Sequence, residues 1–154
     1  MKSGQRSKPA TGQPLLGVDQ LVCFALYSTG LAMDKAYRKA LRPLNITYPQ
    51  YLVMVLLWET DGRTVTELGD RLYLDSATLT PLLKRLEQTG LVSRRRAVED
   101  ERRVIISLTA AGRALKQKAS DVQLEIFHAT KCTMGELGDL HKQLQTLRAK
   151  LRSE

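Results

Sequence analysis

Long apolar runs, aromatic residues and cysteines are all scarce in this sequence. Its longest unbroken apolar run, Tyr51 to Trp58, is far too short to span a bilayer, so no transmembrane helix is expected. No apolar stretch follows the basic N-terminus, which argues against a secretory signal peptide. The two cysteines, Cys23 and Cys132, lie far apart and do not resemble the framework of a secreted disulfide-rich domain. His128 stands four residues before Cys132, but no further Cys or His cluster supplies the ligands a metal needs, and His141 has nothing near it. Internal repeats and low-complexity tracts are absent. A cytoplasmic protein with reduced thiols, no metal and no cofactor is the expectation.

Positive charge is plentiful. Lys and Arg outnumber Asp and Glu by 24 to 16, for a net charge of +8. That balance points to a polyanionic partner, nucleic acid first and an anionic membrane surface second. With 43% apolar residues in 154, the chain has the material for the core of one domain.

Residues 1–14 (MKSGQRSKPATGQP) offer almost nothing to bury and read as a basic, disordered arm. Apolar residues then recur at helical spacing from Val18 to about Leu41, where "RPLN" ends the helix at Pro43. A second helix at about 48–60 carries the apolar run and stops before Asp61–Gly62. Thr64 and Glu67 form a capping box that opens a short helix ending near Tyr73. Asp75 or Ser76 caps the next one, "SATLTPLLKRLEQTG", with Leu79, Leu82, Leu83 and Leu86 on one face and Gly90 as its stop. "LVSRRR" and "RRVIISL" flank the acidic turn "AVEDE" and read as a β-hairpin. Thr109 caps a long helix to about Lys131, and Thr133 with Glu136 caps a last helix to the C-terminus. Met33, Met54 and Trp58 read as core residues.

Two short helices joined by a tight turn and followed by a hairpin describe a winged helix-turn-helix, mostly α with a β-hairpin wing. Its chemistry suits double-stranded DNA. On helix 75–89 the leucines are committed to the core, leaving Ser76, Thr78, Thr80, Lys84 and Arg85 outside. Hydroxyls near a helix N-terminus suit phosphates and base edges, and the helix dipole favours an approaching anion. The hairpin adds Arg94, Arg95, Arg96, Arg102 and Arg103, and an arginine at its tip suits the negative potential of a minor groove. Arginines on a hairpin often do no more than solvate it; the preceding helix pair is what favours DNA.

The run "DERRVIISLTAAG" at 100–112 resembles the Asp-x-Arg…Leu-Thr-x-x-Gly wing signature of the multiple-antibiotic-resistance regulator (MarR) family, with Asp100, Arg102, Leu108, Thr109 and Gly112 in the matching places. The helix order over 15–154 is similar too. The resemblance implies a homodimer whose first and last helices interlock, with dimerisation helices at about 17–42 and 109–153 and a DNA-binding unit at about 48–108 of one winged-helix domain, 15–154. It makes Arg102 the wing-tip arginine and Asp100 its hairpin partner. "LDSATLTPLLKRLE" is most similar to the organic-hydroperoxide-resistance regulators of that family. Those repressors sense peroxide with a cysteine early in the first helix, supported by two tyrosines, and Cys23, Tyr37 and Tyr48 occupy these places. Cys132 matches the resolving cysteine of a two-cysteine subgroup.

Helical geometry places Cys23, Tyr27, Gly30, Asp34 and Tyr37 on one stripe. Cys23 and Tyr37 are separated by about 21 Å along a continuous helix and cannot touch within one chain. In an antiparallel pair crossing near Gly30, Cys23 of one chain faces Tyr37 of the other. Taken alone, a cysteine in "LVCFALY" is a small core residue. Val22 and Phe24 disfavour a charged thiolate, whereas tyrosine hydroxyls donating to the sulfur favour it. The expectation is therefore a redox-sensing repressor, not an enzyme, that leaves DNA when an organic hydroperoxide oxidises Cys23. Three rivals stand beside it: a regulator released by a small aromatic ligand in the dimer pocket, with Cys23 structural; a thiol peroxidase, for which no Cys-x-x-Cys is present; and a constitutive, sequence-indifferent DNA binder.

Overall fold

The computed structural model describes residue 12 and residues 14–153; most of the basic arm expected at 1–14 lies outside the described residues. The elements run α1 (Val22–Leu41), α2 (Tyr48–Glu59), β1 (Arg63–Thr64), α3 (Val65–Leu72), α4 (Ser76–Gln88), β2 (Val92–Arg96), β3 (Val104–Leu108), α5 (Ala110–Thr130) and α6 (Met134–Arg152), with short 3-10 turns on either side of α1. Among the described residues no helix is long and apolar enough to cross a membrane. The chain divides into two units, one up to Asp34 and one from Lys35 onward.

The N-terminal unit holds a 3-10 turn at Val18–Gln20 and the start of α1. None of its described residues is buried. Leu21, Val22, Phe24, Leu26, Tyr27 and Leu31 are exposed despite their apolar character.

In the second unit α2 is the central helix. Tyr51, Val53, Met54, Leu56 and Leu57 are buried around its circumference, which suits a run with no polar face. Thr47 and Gln50 cap it reciprocally, with Pro49 in its first turn. The boxes at Thr64–Glu67 and Thr133–Glu136 and the caps at Asp75 and Thr109 form as the sequence predicts. Against α2 lie Leu68 of α3 and Leu79, Leu83 and Leu86 of α4. Leu82, expected among them, is only half-buried. Pro81 sits inside α4 without breaking it. Of the expected core residues Met54 is fully buried, while Met33 and Trp58 are half-buried.

Gly69 lets the α3–α4 turn close tightly, because a Cβ there would stand 2.8 Å from the Leu74 carbonyl oxygen. The hairpin predicted at 91–108 forms with Val92 opposite Leu108 and Arg96 opposite Val104. A two-residue strand too short to show periodicity, β1, adds to its other edge, giving the antiparallel order β1-β3-β2.

Where the hairpin meets α5 the packing is closest. The Thr109 hydroxyl donates to the Gly90 carbonyl at 2.6 Å and accepts the Gly112 N–H at 3.1 Å. Gly112 rests directly on the Leu91 carbonyl, leaving no room for a side chain. Trp58 of α2 donates its indole N–H to the Gly112 carbonyl at 2.9 Å. Asp61 accepts the Leu108 N–H at 2.8 Å and pairs with Arg113 at 3.7 Å. Gly112→Ala should therefore destabilise the protein by about 1–3 kcal/mol, because the added carbon forces the hairpin away from α5. Gly138→Ala, in open space on α6, should instead be neutral or stabilising by up to about 1 kcal/mol. Equal urea midpoints for the two variants would contradict the close approach.

Candidate functional site

The first candidate surface is built from α3, α4 and the hairpin. Asp75 caps α4 by accepting the Thr78 N–H at 2.7 Å. This N–H and the Thr78 hydroxyl hold the Asp75 carboxyl below the usual range. Ser76, Thr78, Lys84 and Arg85 are exposed along α4, and Thr80 is half-buried. Arg95, Arg96 and Arg103 project from the hairpin. At its tip the Asp100 carboxylate accepts the Arg102 N–H at 3.0 Å and the Arg102 Nε at 3.3 Å. The Arg102 side chain is nevertheless 93% exposed, so Asp100 aims it outward without burying it. Such an exposed pair adds little stability; its effect is to orient.

Arg94 behaves differently. Its backbone N–H and its Nε both reach Glu87 of α4, at 3.2 and 3.3 Å. It ties the hairpin to the helix. A cleft of about 530 Å³ opens between these parts, bordered by Thr66, Thr80, Arg94, Arg102 and Arg103. Thr66 was missed in the sequence; its place in the first turn of a capped helix was the available signal. A hydroxyl there, beside the positive end of α3 and three arginines, suits a phosphate oxygen.

The second candidate region concerns the thiols, both of which are free. Cys23 lies in the first turn of α1 and is exposed. In the second unit, Tyr37 and Tyr48 come together from different helices with ring centroids 4.3 Å apart. Tyr51, which the sequence presented only as the start of an apolar run, joins them at 5.9 Å from Tyr37 and meets Trp58 edge-on at 6.4 Å. Its signal was the i, i+3 spacing from Tyr48. Burial and the neighbouring phenols push Tyr37 up to about 12, and burial likewise raises Tyr48 and Tyr51. Gln123 of α5 partly offsets the rise at Tyr51, although its contact falls short of a full hydrogen bond. These phenols keep their protons and remain donors throughout the physiological range.

Cys132 is half-buried in the α5–α6 joint. Lys131 takes a left-handed conformation (φ 55°) that ends α5 and turns the chain into the α6 cap. The Cys132 thiol donates to the Thr130 carbonyl at 3.3 Å. His128 is exposed nearby, and the described residues contain no group of three or more His, Cys, Asp or Glu side chains able to hold a metal.

The helix-turn-helix, the hairpin and the arginine-lined cleft define the class: a winged-helix transcriptional regulator. The family of SarA/Rot transcriptional regulators matches residues 35–119. The organic hydroperoxide resistance transcriptional regulator of Bacillus subtilis is 49% identical over 130 residues, covering 84% of this chain and 88% of that protein. Two solved structures of AbfR, a Staphylococcus epidermidis protein, are similar. The reduced form bound to DNA is 36% identical with a TM-score of 0.74, over 86% of this chain and 90% of that one. The disulfide form is 38% identical with a TM-score of 0.62, over 82% and 88%. The chain belongs to the MarR family of transcriptional regulators, to its organic-hydroperoxide-resistance type.

The tyrosine cluster has a measurable consequence. A phenol that ionises near pH 10 in the unfolded chain but near pH 12 in the fold contributes stability below pH 10, lost as pH rises towards 12. Titration by phenolate absorbance should show a last step near pH 12 that Tyr37→Phe removes, with a shallower alkaline loss of stability. An identical titration in that variant would contradict the stacked arrangement.

Proposed function

We propose that this regulator is a homodimeric, cytoplasmic repressor that binds pseudo-palindromic double-stranded DNA when reduced and is released when an organic hydroperoxide oxidises Cys23. The observation that carries the reading is the meeting of Tyr37 and Tyr48, 4.3 Å apart, as protonated donors from two helices. Their hydroxyls stabilise a thiolate presented to them by the partner subunit. Apolar side chains left exposed on α1 (Val22, Phe24, Leu26, Leu31) and on α6 (Leu140, Leu144, Leu151) support dimerisation through helices at about 17–42 and 109–153. The unit at about 48–108 reads DNA.

The Cys23 thiolate attacks the terminal oxygen of the hydroperoxide and breaks the O–O bond, giving a sulfenic acid and, after proton transfer, an alcohol. The thiol of Cys132 then attacks that sulfur and releases water, leaving a disulfide between two chains. Its formation requires α-carbons within about 7 Å, which moves the helices that carry the winged units. A dithiol restores the starting state.

On DNA, α4 supplies Ser76, Thr78, Thr80, Lys84 and Arg85 to the major groove and its phosphates. The wing supplies Arg95, Arg102 and Arg103, with Asp100 orienting Arg102 and Arg94 fastening wing to helix.

A gel-shift titration on the DNA immediately upstream of its gene, with organic hydroperoxide and then dithiothreitol, tests the whole reading. Release by the first and recovery with the second are expected. Cys23→Ser should bind as the parent does and stay bound through a dose that strips the parent. Release of that variant as readily as the parent would make Cys23 packing and favour a ligand-gated regulator. Arg102→Ala should cost about 1–3 kcal/mol of specific binding. If neither it nor Lys84→Ala weakens binding in moderate salt, the DNA surface is misassigned. On a non-reducing gel the oxidised parent should run as a covalent dimer and Cys132→Ser as a monomer. A disulfide within one chain would contradict the intersubunit geometry.

A further inference from the structure

Tyr73 occupies the turn between α3 and α4 and is the C-cap of α3. Its backbone is left-handed (φ 57°), an uncommon and strained conformation for an aromatic residue. Two residues later Asp75 caps α4, so the backbone at Tyr73 sets the direction in which the reading helix leaves the turn. Leu74 has little slack, because its carbonyl lies against Gly69.

The Tyr73 ring is stacked by two guanidinium groups from the far end of α6: the Arg148 and Arg152 Cζ atoms lie 4.6 and 4.5 Å from its centroid. One helical turn apart, both arginines project from the same face. Arg152 also closes a cleft against Asp70, Leu74 and Asp75. No residue of α6 is buried, and at its far end these two arginines meet the turn. The same helix is capped by Thr133, directly after Cys132, and runs unbroken from Met134 to Arg152.

We propose that Tyr73, Arg148 and Arg152 form a clasp through which α6 positions the helix-turn-helix, so that movement of Cys132 at the head of α6 reaches α4. A rigid helix carries the displacement, and the stacked ring hands it to the strained turn that aims the reading helix. The redox part of this rests on the role given above to Cys132; the positioning part does not. These three are positioning residues, since none needs to touch DNA or peroxide.

The test uses the full-length chain as parent, the double variant Arg148→Ala/Arg152→Ala, Tyr73→Leu, and Tyr73→Phe, which retains the ring face. Amide hydrogen exchange over residues 73–78 is measured in the reduced protein. Affinity for upstream DNA is measured before and after organic hydroperoxide, with the Cys132 disulfide followed by mass. In the double variant and Tyr73→Leu, exchange should quicken by about 5-fold or more, and the reduced-to-oxidised affinity ratio should shrink by about 5-fold or more while the disulfide still forms. Tyr73→Phe should match the parent in both. Should Tyr73→Leu not fold, the double variant carries the test, because both arginines are exposed. Parental exchange in the double variant overturns the clasp, and so does a parental affinity ratio with a normal disulfide. A parent that ignores hydroperoxide overturns the redox reading instead, and the exchange measurement then decides the clasp by itself.

Discussion

The rest of the winged unit depends on the contact between the Gly112 backbone and the Leu91 carbonyl. Leu91 follows the end of α4, and Gly112 lies in the first turn of α5, so this approach brings α4, the hairpin and α5 to one point. Thr109 seals it with a hydroxyl shared between the Gly90 carbonyl and the Gly112 N–H. Trp58 and Asp61 then attach the end of α2 to the same joint. Several backbone groups that a hairpin junction would leave without partners are satisfied here.

Charge is distributed over this frame with two different purposes. A net +8 draws the molecule to a polyanion at long range, independently of sequence. Within that surplus, acidic residues discriminate between arginines of equal intrinsic charge. Glu87 commits Arg94 to holding wing against helix. Asp100 leaves Arg102 almost entirely in solvent while restricting its direction, which would lower the entropy lost in the groove contact proposed for it. The low worth of an exposed ion pair in stability is thus no obstacle to the recognition role proposed for Arg102.

In the sensor proposed above, the tyrosines offer a thiol a weakly polar surface. Phenols crowded together and partly dehydrated raise one another's pKa, so they stay neutral donors where a lysine or histidine would bring a full charge. On that proposal, donation from neutral groups keeps the site apolar enough for an organic hydroperoxide. Tyr51 and Trp58 extend the same aromatic line along α2 to the Gly112 joint, so α2 bears one of the two paired tyrosines and also an anchor of the wing.

Local chemistry alone determined much of this protein. Capping residues at Thr64, Asp75, Thr109 and Thr133, the leucine face of α4 and the turn "AVEDE" each act within a few residues, so helices and hairpin were legible in the sequence. So was the wing signature from Asp100 to Gly112, though not the reason for its glycine, which is a carbonyl 21 positions earlier in the chain. Tertiary structure decided what depends on distant partners. The short strand β1 exists only because β3 accepts it. Tyr51 became part of the phenol cluster because α1 and α2 bring Tyr37 and Tyr48 to it. Arg94 was set apart from its neighbours by Glu87, and Tyr73 acquired two arginines from the far end of the chain. Periodicity and capping report what the backbone prefers; which side chains meet across helices is decided by packing, and no local pattern carries that information.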